Sequence, residues 1–250
     1  MIQYDKKRDF SIVIACEESQ EVASRFYLLG YEVYSIDIQK NSNKDYDHLH
    51  LQSDVMTVLN TFKKIGKKID CLVGFPPCNF LSHFAYNMKF GERCINKELN
   101  RELSSQFFLN LWNLDKTHNI NHIMLENPKG HAQSLVSDDS IQCIQPYDHG
   151  EYASKKTYLH YKNLPPVEAT EILNEDIENK GKFSTWFNKQ NTSKKRSKTF
   201  KGVASAIVDQ YDNYFTEIYG FTEESDFKTY DNKFNQCNDW LYEKTIQGRK

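Results

Sequence analysis

Leu72-Val73-Gly74-Phe75-Pro76-Pro77-Cys78-Asn79 is the stretch on which the fold turns. A largely apolar run, Ile69 to Phe75, ends in two prolines followed at once by a cysteine. Proline has no backbone N–H and fixes its own φ, so Pro76-Pro77 ends a strand and stiffens the exit. Cys78 then stands at the carboxyl end of a buried strand, where open α/β sheets place their ligands. Most free cysteines are small buried hydrophobes. At such an address the same thiol is also a candidate nucleophile.

Working outward, the upstream chain reads as a strand–helix–strand unit. Phe10 to Cys16 is β-branched and apolar; Glu21 to Leu29 carries Val22, Phe26 and Leu29 at helix spacing, with Gly30 as the stop. A strand over Glu32 to Ile36 leads directly to Asp37. A carboxylate at that tip can accept hydrogen bonds from both hydroxyls of a ribose, or be an ordinary solvated acid. Asn41 to Leu51 reads as a loop. Asp54 either caps a helix over Val55 to Ile65 or meets the amino group of an adenine, and capping is the simpler role.

Downstream, Asn79 to Glu92 reads as a loop covering the substrate, and Lys97 to Trp112 as an amphipathic helix. Its Leu103, Phe107, Phe108, Leu111 and Trp112 are expected to be mostly core. The strand His122 to Leu125 runs into Glu126-Asn127-Pro128-Lys129-Gly130, a second sharp exit with a carboxylate where Cys78 stood before. Burial would raise that carboxyl toward neutrality and suit it to general acid work, whereas open solvent would leave it ordinary. Gln142 to Tyr147 and Thr157 to Tyr161 read as further strands. Gly202 to Tyr219 reads as a helix with Val203, Ile207, Val208 and Tyr211 on one face. A tail from Phe221 is expected to be helical over 233–244.

With Lys+Arg 32 against Asp+Glu 34, the formal charge of −2 excludes a global basic field. The one basic concentration, Asn188 to Lys201, is either a phosphate-contacting segment or a solvated loop. Six cysteines with no C-x-x-C pair argue against a disulfide framework or any metal site, and place the chain in a reducing cytosol. No apolar run is long enough for a signal or a membrane span, so no membrane partner is expected.

Taken in order, Pro76-Pro77-Cys78, Glu126-Asn127-Pro128, Ile144-Gln145-Pro146, Lys155-Lys156-Thr157 and Lys201-Gly202-Val203-Ala204 match a known pattern. The chain resembles a small, phage-type member of the DNA cytosine-5 methyltransferase family over roughly residues 10–212. That resemblance implies an α/β, Rossmann-like S-adenosylmethionine-dependent methyltransferase fold, a mostly parallel sheet with helices on both faces. It implies a catalytic domain over 1–220 with a reduced insert at about 166–201, and a C-terminal tail over 221–250. Its activity would be methylation of cytosine in DNA, as in restriction-modification, in a bacterial or phage-infected cytoplasm.

The resemblance also distributes roles. Cys78 matches the nucleophile that adds to C6, Glu126 the acid at N3, and Lys155 or Lys156 the base-steadying cation. S-adenosyl-L-methionine would lie along Cys16, Glu17, Asp37, Ile38, Asp54, Val55 and Pro76. Ser82, Lys194, Lys195 and Arg196 would meet the nucleic acid. Three departures stand out. Ala15-Cys16-Glu17-Glu18-Ser19-Gln20 replaces an aspartate–aromatic–glycine turn; lysine replaces arginine in the later motif; and there is little room for a target-recognition domain. A short recognition site, low specificity, a partner subunit or a non-duplex substrate would each fit that last departure. C5 methylation of a free pyrimidine nucleotide or of RNA, and a non-catalytic binder of nucleic acid or protein, remain the alternatives.

Overall fold

Ile12 and Ile14 of β1 (Ser11–Ala15) are buried in one core, and Val13 and Ala15 in another on the opposite side of the sheet. A strand covered on both faces has no polar side to show, which is why these runs are apolar throughout. The computed structural model describes residues 6–83, 96–173 and 198–221.

The other strands are β2 (Glu32–Asp37), β3 (His50–Gln52), β4 (Cys71–Gly74), β5 (His122–Pro128), β6 (Ile141–Ile144) and β7 (Thr157–Lys162). They form one seven-stranded sheet in the order β3-β2-β1-β4-β5-β7-β6. The pairs from β3 through β5 are parallel, and β7 runs antiparallel to both β5 and β6. The helices are α1 (Ala23–Leu28), α2 (Val55–Lys64), α3 (Lys97–Trp112), α4 (Leu114–His118) and α5 (Lys201–Tyr219). One core packs α1 and α5 through Phe26, Val203, Ile207, Tyr211 and Phe215; the other packs α2 and α3 through Val58, Leu59, Phe62, Phe108 and Leu111. This is a Rossmann-like α/β architecture, a mostly parallel sheet with helices on both faces. Its chain order reverses between β1 and β4, and the crevice at that switch point opens at the carboxyl ends of the strands.

Four local differences from the sequence reading have physical causes. The expected loop over Asn41 to Leu51 contains a 3-10 segment (Lys44–Leu49) and starts the edge strand β3, whose three residues are too few to show a period. Helix α4 is likewise a single short turn that periodicity could not resolve. β6 stops at Ile144, and Pro146, with no N–H to extend a ladder, opens a 3-10 turn (Pro146–Asp148). In α3 only the C-terminal half reaches the sheet: Phe108, Leu111 and Trp112 are buried, Phe107 is half-buried, and Leu103, expected in the core, is 59% exposed. The tail beyond Phe221, most of the 79–92 loop, and Lys194, Lys195 and Arg196 lie outside the described residues.

Candidate active site

The loop carrying Cys78 and the end of β5, which runs on through Glu126 to Pro128 rather than stopping at Leu125 as the sequence suggests, are fastened to each other by backbone and by one side chain. Gly74 of β4 pairs with Leu125 of β5, so Glu126 is the first residue past that ladder. The Cys78 carbonyl accepts from the N–H groups of Leu81 (3.1 Å) and Ser82 (2.9 Å), turning the chain back toward β5. There His83 N–H donates to the Lys129 carbonyl (2.8 Å) and His131 N–H to the Leu81 carbonyl (2.6 Å), a bridge that pairs half-buried Ser82 with Gly130. A Cβ on Gly130 would lie 1.9 Å from the Leu81 carbonyl oxygen, so only glycine allows this approach. Fully buried Asn127 adds a further tie, donating from Nδ2 to the Pro76 carbonyl at 3.0 Å.

Charge converges on the thiol. Burial pushes the Cys78 thiol above its ordinary value, the Glu126 carboxylate pushes it in the same direction, and Lys155 opposes them. Glu126 and Lys155 both line a small cleft that Cys78 itself does not line. Phe75, Ile144 and Pro146 form part of its wall, with Thr157, Thr199, Phe200 and Val203 completing it. Of the two lysines proposed from sequence, half-buried Lys155 lines the cleft, whereas Lys156 is exposed and does not. Sequence reasoning misses Thr199 and Phe200, which fall at the end of a basic stretch; their position just ahead of α5 is the available signal.

The neighbouring strand ends β1 and β2 bear the residues expected to hold a cofactor. Cys16 (φ 63°) and Gln20 (φ 57°) both take the left-handed backbone that glycine usually supplies. Each such residue costs about 1–2 kcal/mol. The turn is tied down by a Cys16 N–H bond to the Ile36 carbonyl (2.7 Å) and by the Ser35 hydroxyl on the Glu17 carbonyl (3.1 Å). Burial raises the Cys16 thiol, and the charges of Asp37 and Asp54 raise it further.

Glu17 faces inward. Its carboxylate accepts the N–H groups of Val22 (2.8 Å) and Ala23 (3.1 Å) at the start of α1. Burial pushes that carboxyl up to about 7 despite these bonds. Asp54 caps α2, its Oδ1 accepting from Thr57 N–H (2.8 Å) and the Thr57 hydroxyl (3.0 Å). Val55 is buried in the core, and the buried Pro76 offers its carbonyl to Asn127. Asp37 is 6% exposed and steadied by the Gln39 N–H at 2.7 Å, while Ile38 beside it is 71% exposed. A buried carboxylate at a strand tip beside an uncovered apolar side chain could hold a nucleoside, the one taking the ribose hydroxyls and the other facing the base. Among the described residues, no group of three or more His, Cys, Asp or Glu side chains could hold a metal ion, and no helix is long and apolar enough to cross a membrane.

No protein-family model matches this chain, and no curated protein matches its sequence. Solved structures similar to it include the Entamoeba histolytica methyltransferase EhMeth, at 12% identity and a TM-score of 0.41, covering 66% of this chain and 57% of that one. The S. pombe Dnmt2 methyltransferase is similar at 14% identity and a TM-score of 0.39, covering 63% of this chain and 51% of that one. The chain thus spans little more than half the length of either methyltransferase.

Proposed function

We propose that this protein transfers a methyl group from S-adenosyl-L-methionine to C5 of cytosine in DNA, through a covalent bond from Cys78 to C6. What supports this reading is that Glu126 and Lys155 line one cleft and that the charges of both act on the Cys78 thiol. Cytosine C5 is a poor nucleophile until something adds at C6. A thiolate does so, the ring electrons move toward N3, and C5 becomes an enamine carbon. Glu126 supplies the proton that N3 takes up. The raised Cys78 thiol is protonated at rest, and the carboxylate that raises it is also the nearby acceptor for its proton. One proton shift then yields both the nucleophile and the acid. Lys155 places positive charge where the ring becomes electron-rich.

S-adenosylmethionine, when bound, supplies an electrophilic methyl carbon on its sulfonium. Asp37 would hold its ribose, Ile38 would face its adenine, and the Cys16-to-Gln20 turn would meet its amino-acid end. After methylation a base such as water takes the C5 proton, N3 returns its proton to Glu126, the C5–C6 double bond re-forms and the Cys78–C6 bond breaks, returning the thiolate. In duplex DNA the cytosine must first leave the stack to reach the cleft.

The test is incubation with methyl-labelled S-adenosylmethionine and, separately, duplex DNA, single-stranded DNA, RNA and free dCMP, followed by digestion. The expected product is 5-methylcytosine from DNA, absent with Cys78→Ser. Label only in RNA or in dCMP would reassign the substrate, and no 5-methylated pyrimidine from any of them would overturn the reading.

A further inference from the structure

We propose that Gln145 is a positioning residue for this reaction: its side-chain carbonyl closes the neck of the 145–155 loop and so holds Lys155 in the cleft. This rests on the methyltransferase reading above for its purpose, but not for its geometry. The ladder between β6 and β7 ends at the pair Ile144–Thr157. Lys155 lies two residues before that end, where no strand partner is left for its backbone. Its N–H instead donates to Gln145 Oε1 at 3.0 Å, across ten positions of chain. Gln145 is 7% exposed, so the bond is shielded from water.

The loop that this bond closes is built to keep its shape. Asp148 N–H donates to the Gln145 carbonyl (3.0 Å), and the N–H groups of His149 (3.0 Å) and Glu151 (3.1 Å) donate to the Pro146 carbonyl. A loop with adjoining ends and internal bonds is a compact Ω-type loop. Its far side is fixed to the start of α5: Glu151 Oε1 accepts from Gly202 N–H at 3.1 Å. A Cβ on Gly202 would lie 1.8 Å from the His149 carbonyl oxygen, so the approach requires glycine. With the far side fixed, the neck decides where Lys155 stands. Ile144 and Pro146 on one arm and Lys155 and Thr157 on the other all line the cleft. Lys155 in turn acts on the Cys78 thiol, in the direction opposite to Glu126.

The test measures alkylation of Cys78 by iodoacetamide, read by peptide mass spectrometry across a pH series. The proteins are wild type, Gln145→Met, Lys155→Gln and the double variant. Gln145→Met is expected to slow alkylation roughly threefold at a fixed pH below the midpoint, through loss of thiolate. Lys155→Gln is expected to slow it at least as much, with no further slowing in the double variant. In methyl transfer, Gln145→Met should lower kcat and leave the KM for DNA unchanged. Gln145→Asn, whose carbonyl falls short of Lys155, should match Gln145→Met and serves if the latter does not fold. Unchanged alkylation in both Gln145 variants, or equal slowing with and without Lys155, would overturn the proposal. Failure of the methyltransferase reading would show separately, as absent transfer by wild type with the alkylation pattern intact.

Discussion

The two ends of the crevice are made by different means. On the Cys78 side, loops are held backbone to backbone, with Gly130 against Leu81 and Gly202 against His149, and the side chains are left to face the cleft. On the Cys16 side there is no glycine. Two non-glycine residues take left-handed backbone, and the carboxylates of Glu17 and Asp54 start helices. The first side fixes loops against each other, as the proposed bond-making would require. On the second, Glu17 and Asp54 serve local structure, and Asp37 and Ile38 are the residues proposed to meet the cofactor. Substitutions on the first side should therefore act on turnover, and on the second side on cofactor affinity or stability.

The largest effect is expected for Glu126→Gln. Methyl transfer should fall by about 10²–10³-fold, since the acid is lost. Alkylation of Cys78 at pH 7 should nevertheless become several-fold faster, roughly as expected when a like charge is removed. A slower or unchanged alkylation would mean that Glu126 does not face the thiol. Next is Gly130→Ala, whose Cβ must push the two strand-end loops apart. A displacement of this kind costs on the order of 10²-fold in rate, and thermal unfolding should also move down by several degrees, roughly as for other strained backbone sites.

On the cofactor side, Asp37→Ala should raise the KM for S-adenosylmethionine about tenfold, the size of one lost charged hydrogen bond, and leave Cys78 alkylation as it was. An altered alkylation rate would show that the two regions are not independent. The smallest effect concerns Glu17. Its folded pKa of about 7 lies above the ordinary 4.5, so the folded state binds the extra proton. The stability this contributes is full below about pH 4.5 and is lost as the pH rises through 7. The melting temperature of wild type relative to Glu17→Gln should therefore decline across that window, and a flat difference would remove the assignment.

Punctuation made the ends of β4 and β5 legible in sequence, although β5 continues to Pro128 before it stops. Pro76-Pro77 and Asn127-Pro128 stop two apolar runs; a thiol comes directly after the first pair and a carboxylate directly before the second. The parallel sheet was legible because its strands are buried on both faces. β3 was not, since His50-Leu51-Gln52 is too short to carry a pattern. Choosing Lys155 over Lys156 needs the register of β7, which adjacent identical residues do not announce. The Gln145–Lys155 bond spans ten positions and has no spacing rule. The absence of glycine at Cys16 to Gln20 was visible, but the left-handed backbone adopted there without it was not.

The central claim is the bond between Cys78 and C6, and trapping it is the most direct test. In DNA carrying 5-fluorocytosine, the fluorine cannot leave as a proton does, so the ring cannot release the thiolate after methylation. Wild-type protein with S-adenosylmethionine should then form a denaturant-stable adduct whose mass equals protein, oligonucleotide and one methyl group, mapping to the peptide of Cys78. Cys78→Ala should form none. A methylated product without any such adduct, or an adduct that persists in Cys78→Ala, would contradict the account.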